Sequence, residues 1–275
     1  MKIRFTHLLA LSLTIVVSYT ACKKMATTSP ANTTAIDYKS ISSTVAMNLT
    51  ASIYGKNGGN NISNGLQTVF SLGSSHKGLT LYSNSSAPSC GSIFDTTYTD
   101  HYTKGDTAKT FENRLKYIYT CNGGNSLNGY TVHDSITNIE INPKFYYQFI
   151  TTQNYTVVAT DITFKKVTMN GGIYNAFTEK LLKGTTQTGY HNLFAFYNLS
   201  GLLVDFTSGS ADITTGIATF TMNKADLDPS GLLPASAYTL TGTIQYLGNH
   251  TAKLTIANPF HVYLVNLITG VATEQ

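Results

Sequence analysis

The pattern in this sequence that comes closest to a metal site is the run from Asp226 to Gly231. Asp226, Asp228 and Ser230 supply oxygen ligands at the first, third and fifth positions of a calcium loop, and Gly231 at the sixth position permits its sharp turn. The twelfth position, which should be a bidentate acid, is Ala237. The same residue types favour an ordinary polar turn between strands. We therefore predict no metal site and keep these three oxygen donors only as a calcium candidate.

The histidines and serines show no spacing that predicts catalysis. The sequence contains no HxH or HExxH pair and no GxSxG motif that would form a nucleophile elbow. His133, Asp134 and Ser135 are adjacent, but adjacency does not supply the geometry of a catalytic triad. We therefore predict no catalytic residue and no cofactor, with a glycan-acting hydrolase as the alternative. The scattered histidines are His101, His133, His191, His250 and His261.

Tyrosines are a second group of residues that could bind a ligand. An aromatic ring offers a flat apolar face and, in tyrosine, a polar tip that suits a sugar. The chain has no tryptophan, and tyrosines in strands commonly pack on sheet faces. Carbohydrate binding is therefore an alternative function. The tyrosines available for it are Tyr98, Tyr102, Tyr146, Tyr147, Tyr155 and Tyr190.

The N-terminus has the layout of an export signal. Lys2 and Arg4 form a basic region, and the apolar stretch 8–17 follows. About ten apolar residues match the core of a signal peptide and are too few to span a bilayer, which needs about 20. Small residues and Cys22 close the segment.

The residues just before Cys22 resemble the lipobox of bacterial lipoproteins. Thr20 and Ala21 fit that motif, and Tyr19 stands where leucine is usual. The resemblance implies that residues 1–21 are removed, that Cys22 receives a diacylglycerol, and that its new amino group is acylated. Three acyl chains anchor a protein firmly, whereas one chain anchors it only marginally. The alternatives are ordinary cleavage, with Cys22 as a free or disulfide-bonded residue, and an uncleaved transmembrane anchor.

The start Cys22-Lys23-Lys24 is similar to that of many envelope lipoproteins of the Bacteroidetes phylum. The similarity implies a place in the cell envelope, at the outer membrane, with membrane lipid as the partner held through Cys22. In that group an acidic run after the cysteine tends to accompany export to the outer face. Residues 23–35 contain no acid, which favours the periplasmic face.

The charge balance of the mature chain excludes a nucleic-acid footprint. The signal peptide contains two of the 18 basic residues and none of the 14 acidic ones, so 16 basic and 14 acidic side chains remain, a net charge of +2. That charge is small and dispersed, unlike the basic patch of a protein that binds nucleic acid. Serine, threonine, asparagine and glycine provide most of the polarity, as is typical of exported β proteins.

Cys90 and Cys121 remain as an even pair if Cys22 carries lipid. In an oxidising compartment we expect them to form a disulfide. Closing the chain between them would stabilise the fold by about 3–4 kcal/mol through the unfolded state. Two buried free thiols are the alternative, and no CxxC spacing points to a metal.

A single amphipathic helix is predicted after a polar tether at residues 22–33. Thr34 as N-cap and Asp37 three residues later resemble a capping box, and Gly55 is a suitable stop. A helix lying on the membrane is the alternative, but the polar face lacks the lysines and arginines that such helices favour. The apolar stripe of the helix is Tyr38, Ile41, Val45, Leu49 and Ile53.

The rest of the chain predicts a mainly β fold. Residues 55–65 form a loop, and alternating apolar segments joined by short turns then continue to the C-terminus, which indicates an antiparallel meander. The sheet could form a half-barrel, a barrel or a sandwich, with the helix packed on it. We expect one domain over residues 34–275; a break near residues 184–190 is the alternative.

These features favour a non-enzymatic, membrane-anchored envelope lipoprotein that is a structural or ligand-binding module of unknown specificity; a carbohydrate-binding protein and a lipid carrier are the alternatives. One helix laid across a strongly curved antiparallel sheet is similar to lipid-carrier lipoproteins. That similarity implies an apolar hollow that holds acyl chains. A contiguous apolar cavity would favour this alternative, and a tightly filled interior would count against it.

Overall fold

One α-helix, a short 3₁₀ helix (Asn64–Leu66) and a long series of antiparallel strands make up the part of the chain that the structure, a computed structural model, describes. The described residues are 36–66, 69–71, 80–83, 88–208, 211–227 and 234–275. The signal peptide at 1–21, the tether at 22–33 with Cys22, and the predicted cap Thr34 lie outside them. Residues Asp37–Gln275 form one compact unit.

Helix α1 (Tyr38–Ile53) begins three residues later than a Thr34 cap would place it. The N-cap is Asp37, whose Oδ1 accepts a hydrogen bond from the backbone N–H of Ser40 at 3.0 Å. Asp37 takes this position because its side chain satisfies one of the free amides of the first turn. The predicted end is confirmed: Tyr54 is the C-cap, and Gly55 follows with a φ of +66°.

Eleven consecutive strands form one open antiparallel sheet in which each strand pairs with its neighbours in sequence. The mainly β meander with one helix is thus confirmed. A short hairpin, β1 (Val69–Ser71) with β2 (Thr80–Ser83), precedes the sheet. The sheet contains β3 (Ile93–Lys104), β4 (Thr107–Cys121), β5 (Leu127–Asn142), β6 (Phe145–Ala159), β7 (Lys166–Lys183), β8 (Thr186–Asp205), β9 (Asp212–Leu227), β10 (Pro234–Gly248), β11 (Thr251–Ile256), β12 (His261–Asn266) and β13 (Ala272–Glu274).

The sheet continues through residues 184–190, the place of the alternative break between two domains. Strands β7 and β8 pair up to their connecting turn, with Lys183 opposite Thr186. Gly184 has a φ of +62°, which suits the turn. Strands on both sides of this hairpin therefore belong to the same sheet.

The sheet curls around α1, because the helix contacts strands on two opposite sides. Ser43 donates a hydrogen bond to the carbonyl of Gly270, in the turn between β12 and β13. Ser52 accepts one from Nδ2 of Asn175 on β7, at 2.9 Å. At about 100° per residue, positions nine apart point in opposite directions. We call the side of the sheet that faces the helix the concave face; its open, curved form is that of a half-barrel.

Curvature also explains the serines and threonines of α1, which are poor helix formers. The apolar stripe predicted from sequence is confirmed, since Val45, Leu49 and Ile53 are buried. Small hydroxyl-bearing residues on the other sides let strands approach closely. Thr50 is also buried, and its hydroxyl bonds to the carbonyl of Ala46 at 2.9 Å.

The two cysteines at the start of the sheet lie at disulfide distance. Cys90 precedes β3 and Cys121 ends β4, with Cα atoms 5.2 Å apart and Sγ atoms at bonding distance. The backbone amide of Tyr119 donates to Ser92 at 2.9 Å, so pairing extends to the cysteines. The link holds β3, an edge strand, at the end of the sheet.

None of the helices in the described residues has the length and apolar character needed to cross a membrane.

Candidate ligand-binding groove

A groove of 690 Å³ opens beside the C-terminal end of α1. The residues that follow the helix form one wall, and the connections after β8, β10 and β12 form the other. Its volume is within the range of small-molecule sites. The lining residues are Thr50, Tyr54, Lys56, Asn61, Ser63, Phe206, Ala211, Asp212, His250, Leu267 and Ile268.

Four aliphatic or aromatic side chains give this groove its apolar surface. Leu267 is buried at its floor, Phe206 and Ala211 are half-buried, and Ile268 is 68% exposed. Burial raises the pKa of Tyr54 above its usual value, so its hydroxyl stays neutral and donates to the carbonyl of Ala211 at 3.2 Å. A large exposed isoleucine beside a half-buried phenylalanine leaves apolar surface that a ligand can cover.

Asp212 uses its carboxylate to hold the turn between β10 and β11. Asn249 and His250 form this turn with φ values of 51° and 52°, a conformation that non-glycine residues adopt at a cost. The carboxylate accepts their backbone amides at 2.7 and 3.1 Å, and His250 Nδ1 lies 3.3 Å from it. The charge of Asp212 is therefore already engaged by the protein.

Lys56 contributes an uncompensated positive charge at the mouth of the groove. It is exposed, and no acidic group lies within 4 Å of its ammonium in the described part of the chain. The carboxylate of Asp212 accepts backbone amides and is therefore not free to bind a cation. The charge that the groove offers to a ligand is the ammonium of Lys56.

The wall that contains Lys56 is a loop with two different faces, which we call the 54–63 loop. Tyr54 and Asn61 form an antiparallel bridge, and the amide of Ile62 donates to the carbonyl of Ile53 at 3.0 Å, so the loop closes on the helix end. Lys56, Asn61 and Ser63 line the groove, whereas Asn60 and Ile62 are buried against the sheet. The groove therefore keeps its shape only while the loop stays docked.

A buried polar cluster docks this loop on β4, β5 and β6. The backbone amide of Asn60 donates to Oδ2 of Asp134 at 2.7 Å, and its Nδ2 donates to the hydroxyl of Tyr155 at 2.7 Å. Tyr117 donates its hydroxyl to Oδ1 of Asn60. Tyr130 donates to the carbonyl of Ile62. The loop is thus held by side chains of three neighbouring strands.

Asp134 is the charged centre of that cluster and is only 2% exposed. Nδ2 of Asn113 donates to its Oδ1 at 2.5 Å. Burial raises the pKa of Asp134 to about 7, against the opposite effect of hydrogen bonds from Asn60, Asn113 and the amide of Ser135. No basic group pairs with this carboxylate among the described residues. An unpaired buried carboxylate is costly, which is why its neutral form is favoured.

Comparison with known protein families, curated proteins and solved structures finds no match for the chain. The geometry of its own residues is therefore what supports a function.

The calcium candidate is only partly described. Asp226 lies on β9, where its carboxylate bonds to His191 Nδ1 at 2.9 Å, to Lys224 at 3.2 Å and to Ser236 at 3.1 Å. Burial alone raises the pKa of Asp226, but these hydrogen bonds lower it overall. Asp228 and Ser230 lie outside the described residues. Among the described residues, no three or more His, Cys, Asp or Glu side chains form a cluster that could hold a metal ion.

The five histidines lie apart, each beside a different polar side chain. His133 and Asp134 point to opposite faces of β5, as neighbours in a strand do, so they do not meet. His133 Nδ1 lies 2.9 Å from Oδ1 of Asn154, and His101 lies 3.2 Å from Thr110. The other contacts are His191 with Asp226, His250 with Asp212 and His261 with Glu274.

The tyrosines considered for sugar binding are dispersed and mostly engaged with other residues. Tyr155 is buried in the polar cluster, and Tyr146 and Tyr190 lie on either side of the Lys180 ammonium, with ring centroids 5.4 and 5.6 Å away. Tyr98 packs on Phe111, and Tyr147 on Phe177. Tyr102 is half exposed on the edge strand β3.

Sequence reasoning missed the groove and the polar cluster. The groove combines residues far apart in the chain, such as Lys56 and Ile268, and no local pattern links them. Asp134 did leave a signal: it lies between Val132 and Ile136 at an inward position of an apolar alternation. A carboxylate at such a position must be buried and hydrogen-bonded.

Proposed function

We propose that this chain is a cell-envelope lipoprotein, held at the outer membrane by acylated Cys22, whose β domain binds a small ligand in the groove without transforming it. The anchor is supported by the lipobox resemblance at residues 19–22. The ligand-binding role is carried by one observation: a groove of 690 Å³ that combines exposed apolar surface with an uncompensated cation.

The ligand that fits this groove best is an anionic amphiphile. Its hydrocarbon part covers Ile268 and Phe206, and its acidic head lies at Lys56. Each CH₂ group removed from water contributes about 0.8 kcal/mol, and the ammonium adds an electrostatic attraction to the head group. A neutral sugar would leave Ile268 uncovered, so a glycan suits the groove less well.

The concave face itself is filled, which counts against a hollow that carries acyl chains. Helix α1 and the 54–63 loop cover it, and Leu49, Ile53, Ile62 and Tyr197 are fully buried there. The ligand proposed here lies at the end of the half-barrel, outside that interior.

A binding assay with a defined probe tests the ligand class. Dansyl-labelled undecanoic acid is titrated with the chain from Lys23 onward, which includes the compact unit Asp37–Gln275. Lys56→Ala should weaken binding about fivefold to tenfold, or about 1–1.4 kcal/mol. Lys253→Ala removes an exposed lysine of β11 away from the groove and should have no effect.

The outcomes separate the alternatives. Loss of affinity in both Lys56→Ala and Ile268→Ser, with none in Lys253→Ala, supports the groove. Binding of a soluble glucan oligosaccharide in place of the fatty acid would transfer the proposal to glycans. Absence of binding by either probe would overturn it.

The anchor has its own test. Mass spectrometry of the mature protein should show an N-terminal Cys22 that carries three acyl chains. Cys22→Ser should release the protein from membranes or stall the precursor. A correctly trimmed Cys22→Ser protein that still sediments with membranes would contradict the anchor.

A further inference from the structure

The 54–63 loop reaches Asp134 through a residue that has no side chain. A Cβ atom on Gly59 would lie 2.5 Å from Cδ1 of Ile136 and 3.3 Å from both Oδ2 of Asp134 and Oε1 of Gln153. Glycine therefore lets the loop backbone lie directly on these two oxygen atoms. The same distances place both oxygens beside one point of the loop.

Asp134 and Gln153 are direct cross-strand partners on β5 and β6. Both side chains are on the concave face and are buried. The amide of Gln153 donates from Nε2 to the carbonyl of Ser52 at 2.6 Å, so its Oε1 is turned the other way. This Oε1 is buried and has no hydrogen-bond donor.

Two buried acceptors therefore lie beside the same point of the loop on paired strands; Oδ2 of Asp134 accepts the Asn60 amide, whereas Oε1 of Gln153 receives no hydrogen bond. Such an arrangement is costly unless a proton or a cation lies there. A proton on Oδ2 of Asp134 supplies a donor for Oε1 of Gln153, and the remaining oxygen still accepts from Asn113. The only chemical step is the reversible transfer of that proton between Asp134 and water.

We propose that Asp134 and Gln153 share a proton when the 54–63 loop is docked, and that loss of this proton releases the loop. The opposite face of the loop is the wall of the groove, so the protonation of Asp134 also controls ligand binding. Only this second step rests on the proposed function; the proton-dependent docking of the loop does not.

The titratable groups that face Asp134 are the phenols of Tyr117 on β4 and Tyr155 on β6. Burial raises the pKa of each well above the usual value for tyrosine, so both stay neutral. The loop and the helix end contribute Asn60 and Ser52, which do not titrate. Asp134 is thus the group whose charge changes near neutral pH.

The direction of the effect follows from linkage. The docked state has the raised pKa, about 7, and an open loop exposes a carboxylate with a pKa near 4. Between these values the docked state binds more protons, so a rise in pH favours opening by up to about tenfold per pH unit. Above a pH of about 7 both states are ionised, and the effect levels off.

Hydrogen exchange of the mature, acylated protein in detergent micelles tests the proposal without any ligand. Protection of the amides of residues 58–62, corrected for intrinsic exchange, should fall about 30-fold to 100-fold between about pH 5 and pH 7 and then stay constant. Asp134→Asn, a neutral isostere of the protonated acid, should remove this dependence. The matched control Asp95→Asn, on an exposed carboxylate paired with Lys116, should retain it.

Each outcome of the hydrogen-exchange experiment supports or overturns proton-dependent docking of the loop. A flat wild-type profile overturns the proposal whether or not Asp134→Asn folds. Protection restored at about pH 8 by added CaCl₂ or NaCl would assign the oxygens to a cation instead of a proton. If the loop depends on pH but the groove binds no fatty acid, the proton-dependent docking of the loop stands and only the proposed ligand is overturned.

Discussion

Two neighbouring segments cover the concave face, and each is held on it by a different kind of interaction. Helix α1 covers its C-terminal part mainly with apolar side chains such as Leu49 and Ile53, which belong to one core that extends from β4 to β13 and includes Ile62 of the loop. The 54–63 loop covers its N-terminal part through Asn60, which is held by Asp134, Tyr117 and Tyr155. Apolar burial is strong, non-directional and independent of pH. A buried hydrogen-bonded cluster fixes the loop in one position, but it depends on every one of its partners and on a proton.

The difference suggests a division of roles. The helix side supplies stability to the fold, whereas the loop side supplies a wall that can open. Segments that move in function come from the less stable part of a structure. The groove lies where the two segments meet, so it combines a fixed floor at Leu267 with a releasable wall at Lys56.

The largest expected effect is on the helix side. Leu49→Ala removes a fully buried side chain and should lower the free energy of unfolding by about 3–5 kcal/mol. Urea denaturation measures this loss, which should be the same at about pH 5 and pH 8 because no titratable group is involved. A loss that changes strongly with pH would contradict the contrast between the two segments.

Raising the pH should have the next largest effect, and it acts on the loop side. The pKa of Asp134 is higher in the folded than in the unfolded chain. Its contribution to the free energy of unfolding is therefore fully present below a pH of about 4 and is lost as the pH rises through about 7. The free energy of unfolding should fall by on the order of 4 kcal/mol over this window, of which about 2 kcal/mol is lost between about pH 5 and pH 7. In Asp134→Asn the curve should lack this fall, whereas Asp95→Asn should keep it.

Gly59→Ala should have a smaller effect, confined to the loop. The added Cβ would meet Ile136 at 2.5 Å, and Ile136 is fully buried, so the loop must shift. Overpacking of this kind costs about 1–3 kcal/mol. Hydrogen exchange should show lost protection in residues 58–62 with α1 unchanged. Gly123→Ala, at a turn where a Cβ meets nothing within 4 Å, is the control.

Asp37→Ala, at the start of α1, should have the smallest effect on stability. It removes the acceptor for the amide of Ser40, and loss of such a cap costs about 1 kcal/mol. Circular dichroism with thermal unfolding measures the change. Asp37→Asn, which keeps a capping oxygen, should be close to wild type. An unchanged Asp37→Ala protein would show that the cap does not stabilise this helix.

Local patterns predicted most of the fold, because strands and helices are specified by nearby residues. Alternating apolar segments joined by short turns predicted the antiparallel meander, as in β4, where Leu115, Tyr117 and Tyr119 are buried, and the stripe through Leu49 predicted the buried side of the helix. The pairing of Cys90 with Cys121 was predicted from the even count that remains if Cys22 is lipidated, and the two lie at disulfide distance. The cap was misplaced because both Thr34 and Asp37 are good cap residues.

The docking of the 54–63 loop could not be predicted in the same way. Its glycines and asparagines indicate a loop, but no local signal says that Asn60 will lie against Asp134, 74 residues later. That contact depends on the curvature of the whole sheet. Asp134 at an inward position was a sign that a polar partner must exist, without saying which one.

A site-resolved ¹³C NMR titration of the Asp134 carboxyl shows whether its proton controls the docking of the 54–63 loop. We predict a midpoint near 7 in the folded protein, with the amides of residues 58–62 changing over the same pH range. A midpoint below a pH of about 5, as for an ordinary aspartate, would contradict it.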